Sequence, residues 1–489
     1  MVMSRAEKIS HVFRQLLNIW SYGALLAVLL VIPLFVENNY FNIVQAKEHC
    51  LHFIVMIMVP LGIILDAVYR IAAKNTKFRF RTVGIIAAGF SGVMLVSCLL
   101  SENPKAAFLG NNGWGMGAMS WLGLTVICLI ASEYMIFNRK IYLPIMGVHA
   151  VIILIGILHS AGLDVLYMHE RMYESQVYAY ISTIGQMNWW VGYLCLFVPA
   201  VFVFVLDAED KPTFLYSGGF WILLSAAMII CSSDGLYLGL GIGAFFLIPF
   251  AVKNAVRLRR AGMLTALFGA VELLISVLPC FAKMISMINP GLARQFTKPW
   301  VGAVMIALGT VVHIAGLTIW TKVSLRIKRI FTTVPEVLLG AVAAGYLITA
   351  VLSFSDKWGT RRGLIWRMSM ELFDSFSLKD KLIGIGPEML REPYTALSDT
   401  FGKTVLVSHS EPLQYLLTSG IIGTLFWLGI WAAVIYHYIK SSRKNCRPFF
   451  AALMAYMGQS LVNSGNCLTI PLFFAVLTFF IICTDKQSG

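Results

Sequence analysis

A chain of 489 residues that is 58% hydrophobic and 13% charged, with mean hydropathy +0.77, has more apolar surface than a soluble core can hide; the bilayer must be its solvent. The net charge of +14 would suggest nucleic acid for a soluble protein. Here the basic residues lie between apolar runs of spanning length, where they face lipid headgroups and set topology, so nucleic acid is excluded as a partner.

Apolar runs of about 20 residues predict fourteen spans, at 18–36, 50–69, 82–100, 116–136, 141–161, 188–206, 214–232, 235–252, 263–282, 300–320, 334–354, 420–439, 447–463 and 467–483. The first follows a basic segment (Arg5, Lys8, Arg14) and is too long for a signal-peptide core, so an uncleaved span is expected. With the N-terminus inside, 24 basic residues, among them Arg79, Arg443 and Lys486, fall on the cytoplasmic side. Six (Lys47, Lys105, Arg171, Lys283, Arg294, Lys298) fall in short outer loops, and that bias places both termini in the cytoplasm. Nine cysteines occur singly without CxxC spacing and read as packing residues, with no disulfide framework or metal site.

The expected fold is an all-α polytopic membrane protein of about 12–14 transmembrane helices with one large outer-face loop containing short helices. Residues 1–354 hold about eleven spans, 355–419 form the loop, and 420–489 hold about three more. A loop that long usually has a function. Within it, RGLIWRMSMELFDSF sets Ile365, Met368, Leu372 and Phe376 on one stripe, which predicts an amphipathic helix lying on the membrane surface. IGIGPEML supplies a turn at Gly384, Gly386 and Pro387, and SHSEPLQYLLTSG a helix capped by Ser408 or Ser410 and ending at Gly420.

Inside the spans, Glu272, His149 and His313 are costly to bury and read by default as functional, against a neutral interhelical hydrogen bond as the plainer account. Trp189, Trp190, Trp300 and Trp320 sit at span edges and read as interfacial anchors.

The loop resembles the O-antigen ligase and polysaccharide polymerase superfamily, which also includes bacterial O-linked protein oligosaccharyltransferases. The resemblance rests on Arg362 four residues before Trp366, Gly384-Ile-Gly386, His409-Ser410 with Leu413, and Gly420-Ile-Ile-Gly423. AFLGNNGWGMG (107–117) and STIGQMNWWVGYL (182–194) are similar to further stretches of that family, so the likeness runs from about residue 100 to 480. The chain departs from the pattern at Ser233-Asp234, where relatives often carry Ser-Arg, and at Ser410, where they carry Asn.

The resemblance implies transfer of a glycan from an undecaprenyl-diphosphate carrier to a glycan, lipid or protein acceptor, at the outer face of the bacterial inner (cytoplasmic) membrane, without metal or cofactor. Membrane lipids are the remaining partner. A diphosphate leaving group calls for fixed guanidinium donors, and Arg361, Arg362 and Arg367 lie beside the predicted surface helix; their plainer reading is a basic face on anionic headgroups. His409 can take the acceptor proton near neutral pH, or bind phosphate, or position the acceptor. Glu411 can orient the His409 ring, and Asp234 can line the outer cavity. The rival reading is a transporter or flippase of lipid-linked oligosaccharide, which expects paired inverted halves and midplane charges. This chain instead concentrates its polar chemistry in one asymmetric loop.

Overall fold

The computed structural model describes residues 5–74, 77–78, 81–110, 113–288, 291–352, 355–401, 405–441 and 444–484. Asn111 and Asn112 of the AFLGNNGWGMG stretch, and the basic residues Arg79, Arg443 and Lys486, lie outside the described residues.

Every predicted apolar run holds a helix. The helices are α1 (Ala6–Leu34), α2 (Ile43–Ala73), α3 (Thr82–Leu99), α4 (Ala118–Tyr134), α5 (Arg139–Ser160), α6 (Met187–Leu206), α7 (Lys211–Ile229), α8 (Asp234–Val252), α9 (Ala255–Val277) and α10 (Pro299–Thr318). They continue as α11 (Leu325–Leu352), then the loop helices α12 (Trp358–Ser375), α13 (Leu378–Ile383), α14 (Arg391–Phe401) and α15 (Glu411–Thr418). The last three are α16 (Gly420–Lys440), α17 (Arg447–Ser460) and α18 (Thr469–Thr484). Ten of these, among the described residues, are long and apolar enough to cross a bilayer, which makes the chain an all-α multi-pass membrane protein.

Helices α1, α2, α9 and α11 begin earlier than the sequence expectation, and at α2 and α9 the local reason is visible. Helix α2 starts at Ile43, not 50, and Lys47 is not a loop residue: it is fully buried and donates to the carbonyls of Ile32 and Pro33, both at 2.8 Å. Those carbonyls end α1 and have no partner within their own helix, so the ammonium serves as a cap. Helix α9 starts at Ala255 because Asn254 accepts the Val256 and Arg257 N–H groups, and its basic first turn is used at once. Arg260 donates to the carbonyls of Val205, Leu206 and Ala208 at the end of α6, while Arg257 pairs with Asp207 at 2.7 Å.

The centre of the bundle is α6, α17 and α18, whose side chains are almost wholly buried. Helices α9 and α10 meet along glycines: a Cβ at Gly309 would lie 2.4 Å from the Ala266 nitrogen, so the backbones touch. Glu272 lies against Gly302 in that seam. His149 meets Tyr193 Oη at 2.9 Å and His313 meets the Arg259 carbonyl at 3.0 Å, both ordinary helix-to-helix hydrogen bonds. Of the four expected interfacial tryptophans, Trp189, Trp190 and Trp320 are buried in protein and Trp300 is exposed. The indole N–H groups of Trp190 and Trp320 donate to Ala227 and Val252, carbonyls in the last turns of α7 and α8, and so find inside the protein the partner that an interface would offer.

The amphipathic stripe of α12 is also turned inward. Ile365, Met368 and Leu372 are buried with Leu390, Tyr394 and Leu417, so the 355–419 segment carries a small core of its own instead of resting its stripe on lipid. A stripe at helical spacing reports only that a face is covered.

Candidate functional site

The GIG turn is stitched to the end of α15. Ile385 and Gly386 donate to the carbonyls of Leu417 and Thr418, both at 3.1 Å, and Ser97 of α3 donates to the same Thr418 carbonyl at 2.7 Å. Gly384 (φ +85°) and Gly420 (φ +66°) are in the left-handed region, and a Cβ on either would lie 2.3 Å from the other strand of backbone. Two separate sequence motifs are therefore two sides of one contact.

Beyond the turn, Glu388 accepts from the N–H groups of Trp114 and Met116. Burial pushes its carboxyl up to about 7 against those N–H groups, and the neighbouring Glu48 adds to the rise. Glu48 is buried against Gly115, and its Oε1 has no hydrogen-bond partner among the described residues.

His409 (φ +48°) presents its ring edge-on to Trp114, with centroids 5.9 Å apart. Trp114 in turn packs edge-on to Trp189, and its carbonyl accepts from Cys467 N–H at 3.0 Å. Glu411, two residues on from His409, turns inward: it is fully buried and accepts from Tyr456 Oη at 2.7 Å. Burial pushes this carboxyl up to about 8, only partly opposed by the Tyr456 hydroxyl, so it is protonated at neutral pH.

Arg362 reaches the connection between α17 and α18. Its Nε donates to the Val462 carbonyl at 2.8 Å and Nη2 to Asn463 Oδ1 at 3.0 Å, and Asn463 donates to Gln459 Oε1 at 3.0 Å. The connection 461–468 is thus a common platform: Arg362 binds near its start, and Cys467 near its end holds the tryptophan that His409 touches. Arg367 is half-exposed and paired with Asp356 at 2.6 Å, and Arg361 is exposed in the left-handed region (φ +72°). The carboxylate of Asp234 accepts from Ala293 N–H at 2.8 Å, while the next residue, Gly235, packs against Asn463.

No protein family model and no curated protein matches this chain.

The structure therefore binds Arg362 directly to this connection and His409 to it through Trp114, buries Glu411 against Tyr456 of α17, sets Asp234 next to a residue that packs on Asn463, and leaves Arg361 and Arg367 exposed. Sequence reasoning missed Glu48, Glu388, Gln459 and Asn463. Asn463 and Gln459 had a visible signal, the polar run GQSLVNSGN between two apolar stretches. Glu388 had only its place after the GIG turn, and Glu48 none.

Proposed function

We propose that this chain is a membrane glycosyltransferase of the O-antigen ligase and polymerase type, working at the outer face of the bacterial cytoplasmic membrane with both termini inside and 355–419 outside. The observation that supports it best is the shared platform: a guanidinium from one end of the loop bound directly to the connection 461–468, and an imidazole from the other end joined to it through Trp114. On this reading Arg362, held by Val462 and Asn463, faces the diphosphate of an undecaprenyl-linked glycan, with exposed Arg361 at the entrance. The acceptor oxygen attacks the anomeric carbon as His409 takes its proton. The bond to the diphosphate oxygen breaks, and undecaprenyl diphosphate leaves with the electron pair, its charge met by the guanidinium. Glu411 and Tyr456 anchor the start of α15 to α17 two residues from His409, and Trp114 sets the tilt of the imidazole.

The test is transfer by purified protein in lipid vesicles, supplied with undecaprenyl-diphosphate oligosaccharide and an unlabelled glycan acceptor. Longer or transferred glycan, lost on His409→Ala, supports the reading. Movement of the donor across the bilayer with no change in its glycan would favour the flippase instead.

A further inference from the structure

A second cluster of chemically competent side chains lies away from the platform, where the 161–186 connection folds back on the end of α5. We infer that His159, Asp164 and His169 form a binding site for a divalent transition-metal cation of the zinc type. Their ligand atoms all lie within 4.8 Å of one another. His159 Nε2 is 3.2 Å from Asp164 Oδ1, and His169 Nδ1 is 3.3 Å from Asp164 Oδ2. A tetrahedral ion with bonds of about 2.0–2.1 Å sets its ligands about 3.3 Å apart, so both spacings match the edges of such a shell.

The hydrogen bonds around the cluster supply the second argument. His169 Nε2 lies 3.3 Å from the Tyr180 carbonyl, which can only accept. Nε2 therefore carries the ring proton, and the Nδ1 lone pair faces a carboxylate oxygen. The Asp164 carboxylate also accepts from the N–H groups of His169 at 2.7 Å and Met168 at 2.9 Å, which fix its orientation. Two electron-rich atoms at 3.3 Å need positive charge between them, from a metal ion or a second ring proton, and a backbone acceptor on the far ring nitrogen is the usual outer support of a metal-bound histidine.

His159 supplies the third ligand: its Nε2 is buried and faces Asp164 Oδ1 at 3.2 Å without the geometry of a hydrogen bond. Its Nδ1 lies between Ser182 N–H at 3.1 Å and Tyr40 Oη at 3.3 Å. Because Tyr40 gives its own proton to the Ser182 carbonyl, its oxygen can accept from Nδ1–H once Nε2 is on the metal. The bond from Ser182 N–H is then the one given up, and Ser182 is already held in the left-handed region (φ +55°). Asp164 is a quarter exposed, which opens the fourth position to water. The ion would tie the 161–186 connection to α5, a structural role independent of glycan transfer.

The test uses full-length protein with a histidine-free tag, purified in detergent, stripped with chelator, reloaded with zinc and desalted. Metal content is expected to be one zinc per chain in wild type and in His11→Ala, with affinity at least about tenfold weaker in Asp164→Asn and His169→Ala. Zinc should also raise the melting temperature of wild type and leave that of His169→Ala unchanged. Wild type that retains no stoichiometric zinc overturns the site, with no need for a variant to fold. So does equal retention by the ligand variants; in either case a proton on His169 closes the cluster.

Discussion

Tyr456 Oη donates to Glu411 Oε1 at 2.7 Å, joining the first turn of α15 to the middle of α17 at a point where both side chains are fully buried. The Tyr456 hydroxyl can donate to this carboxyl in either charge state, but burial favours the protonated form and holds its pKa up to about 8. In the unfolded chain the same carboxyl titrates near 4.5. Its contribution to stability is therefore complete below about pH 4.5 and is lost as pH rises to about 8, above which it is flat. Glu388 behaves alike but stops at about 7. Between about pH 5 and 8 the fall in melting temperature should thus be smaller in Glu411→Gln, and also in Glu388→Gln, than in wild type.

Removing the donor is the complementary test. Tyr456→Phe leaves a buried carboxyl oxygen without its partner, and should cost about 1–3 kcal/mol of stability, read by thermal denaturation in detergent.

The contact between the GIG turn and the end of α15 admits no side chain. Gly384→Ala or Gly420→Ala places a Cβ 2.3 Å from backbone at a left-handed residue, and each should destabilise by roughly 2–4 kcal/mol. Unchanged melting for either variant would contradict the packing described.

Arg362 engages Val462 and Asn463 with two separate nitrogens, a fork that lysine cannot reproduce. Arg362→Lys should lower the transfer rate by the equivalent of about 1.5–3 kcal/mol, and Asn463→Ala should produce part of the same loss. Steady-state rates on a lipid-linked donor check both.

The spans were legible because a bilayer demands about twenty apolar residues per helix and leaves few alternatives. Helix ends such as Ile43 and Ala255 were harder, since Lys47 and Arg260 look like loop charges until their carbonyl partners are seen. At the candidate site, Arg362 and His409 could be picked out by their order in the loop, but their link through 461–468 and Trp114 depends on how α17 and α18 return to that end. No local pattern encodes such a contact. Glu411 was read as a group that can orient His409, because nothing nearby announces burial and its partner Tyr456 lies 45 positions away. The His159, Asp164 and His169 cluster escaped for the same reason: its support comes from Tyr40 and Ser182, distant in sequence.

The central claim is that His409 and Arg362 act together on a lipid-linked glycan. Its most direct test is the length of carrier-linked and transferred glycan in a deletion strain complemented with wild type, His409→Ala or Arg362→Ala, each at equal membrane level. The account predicts that long or transferred glycan returns only with wild type, while short carrier-linked units accumulate on the outer face with both variants. Wild-type glycan from both variants would contradict it.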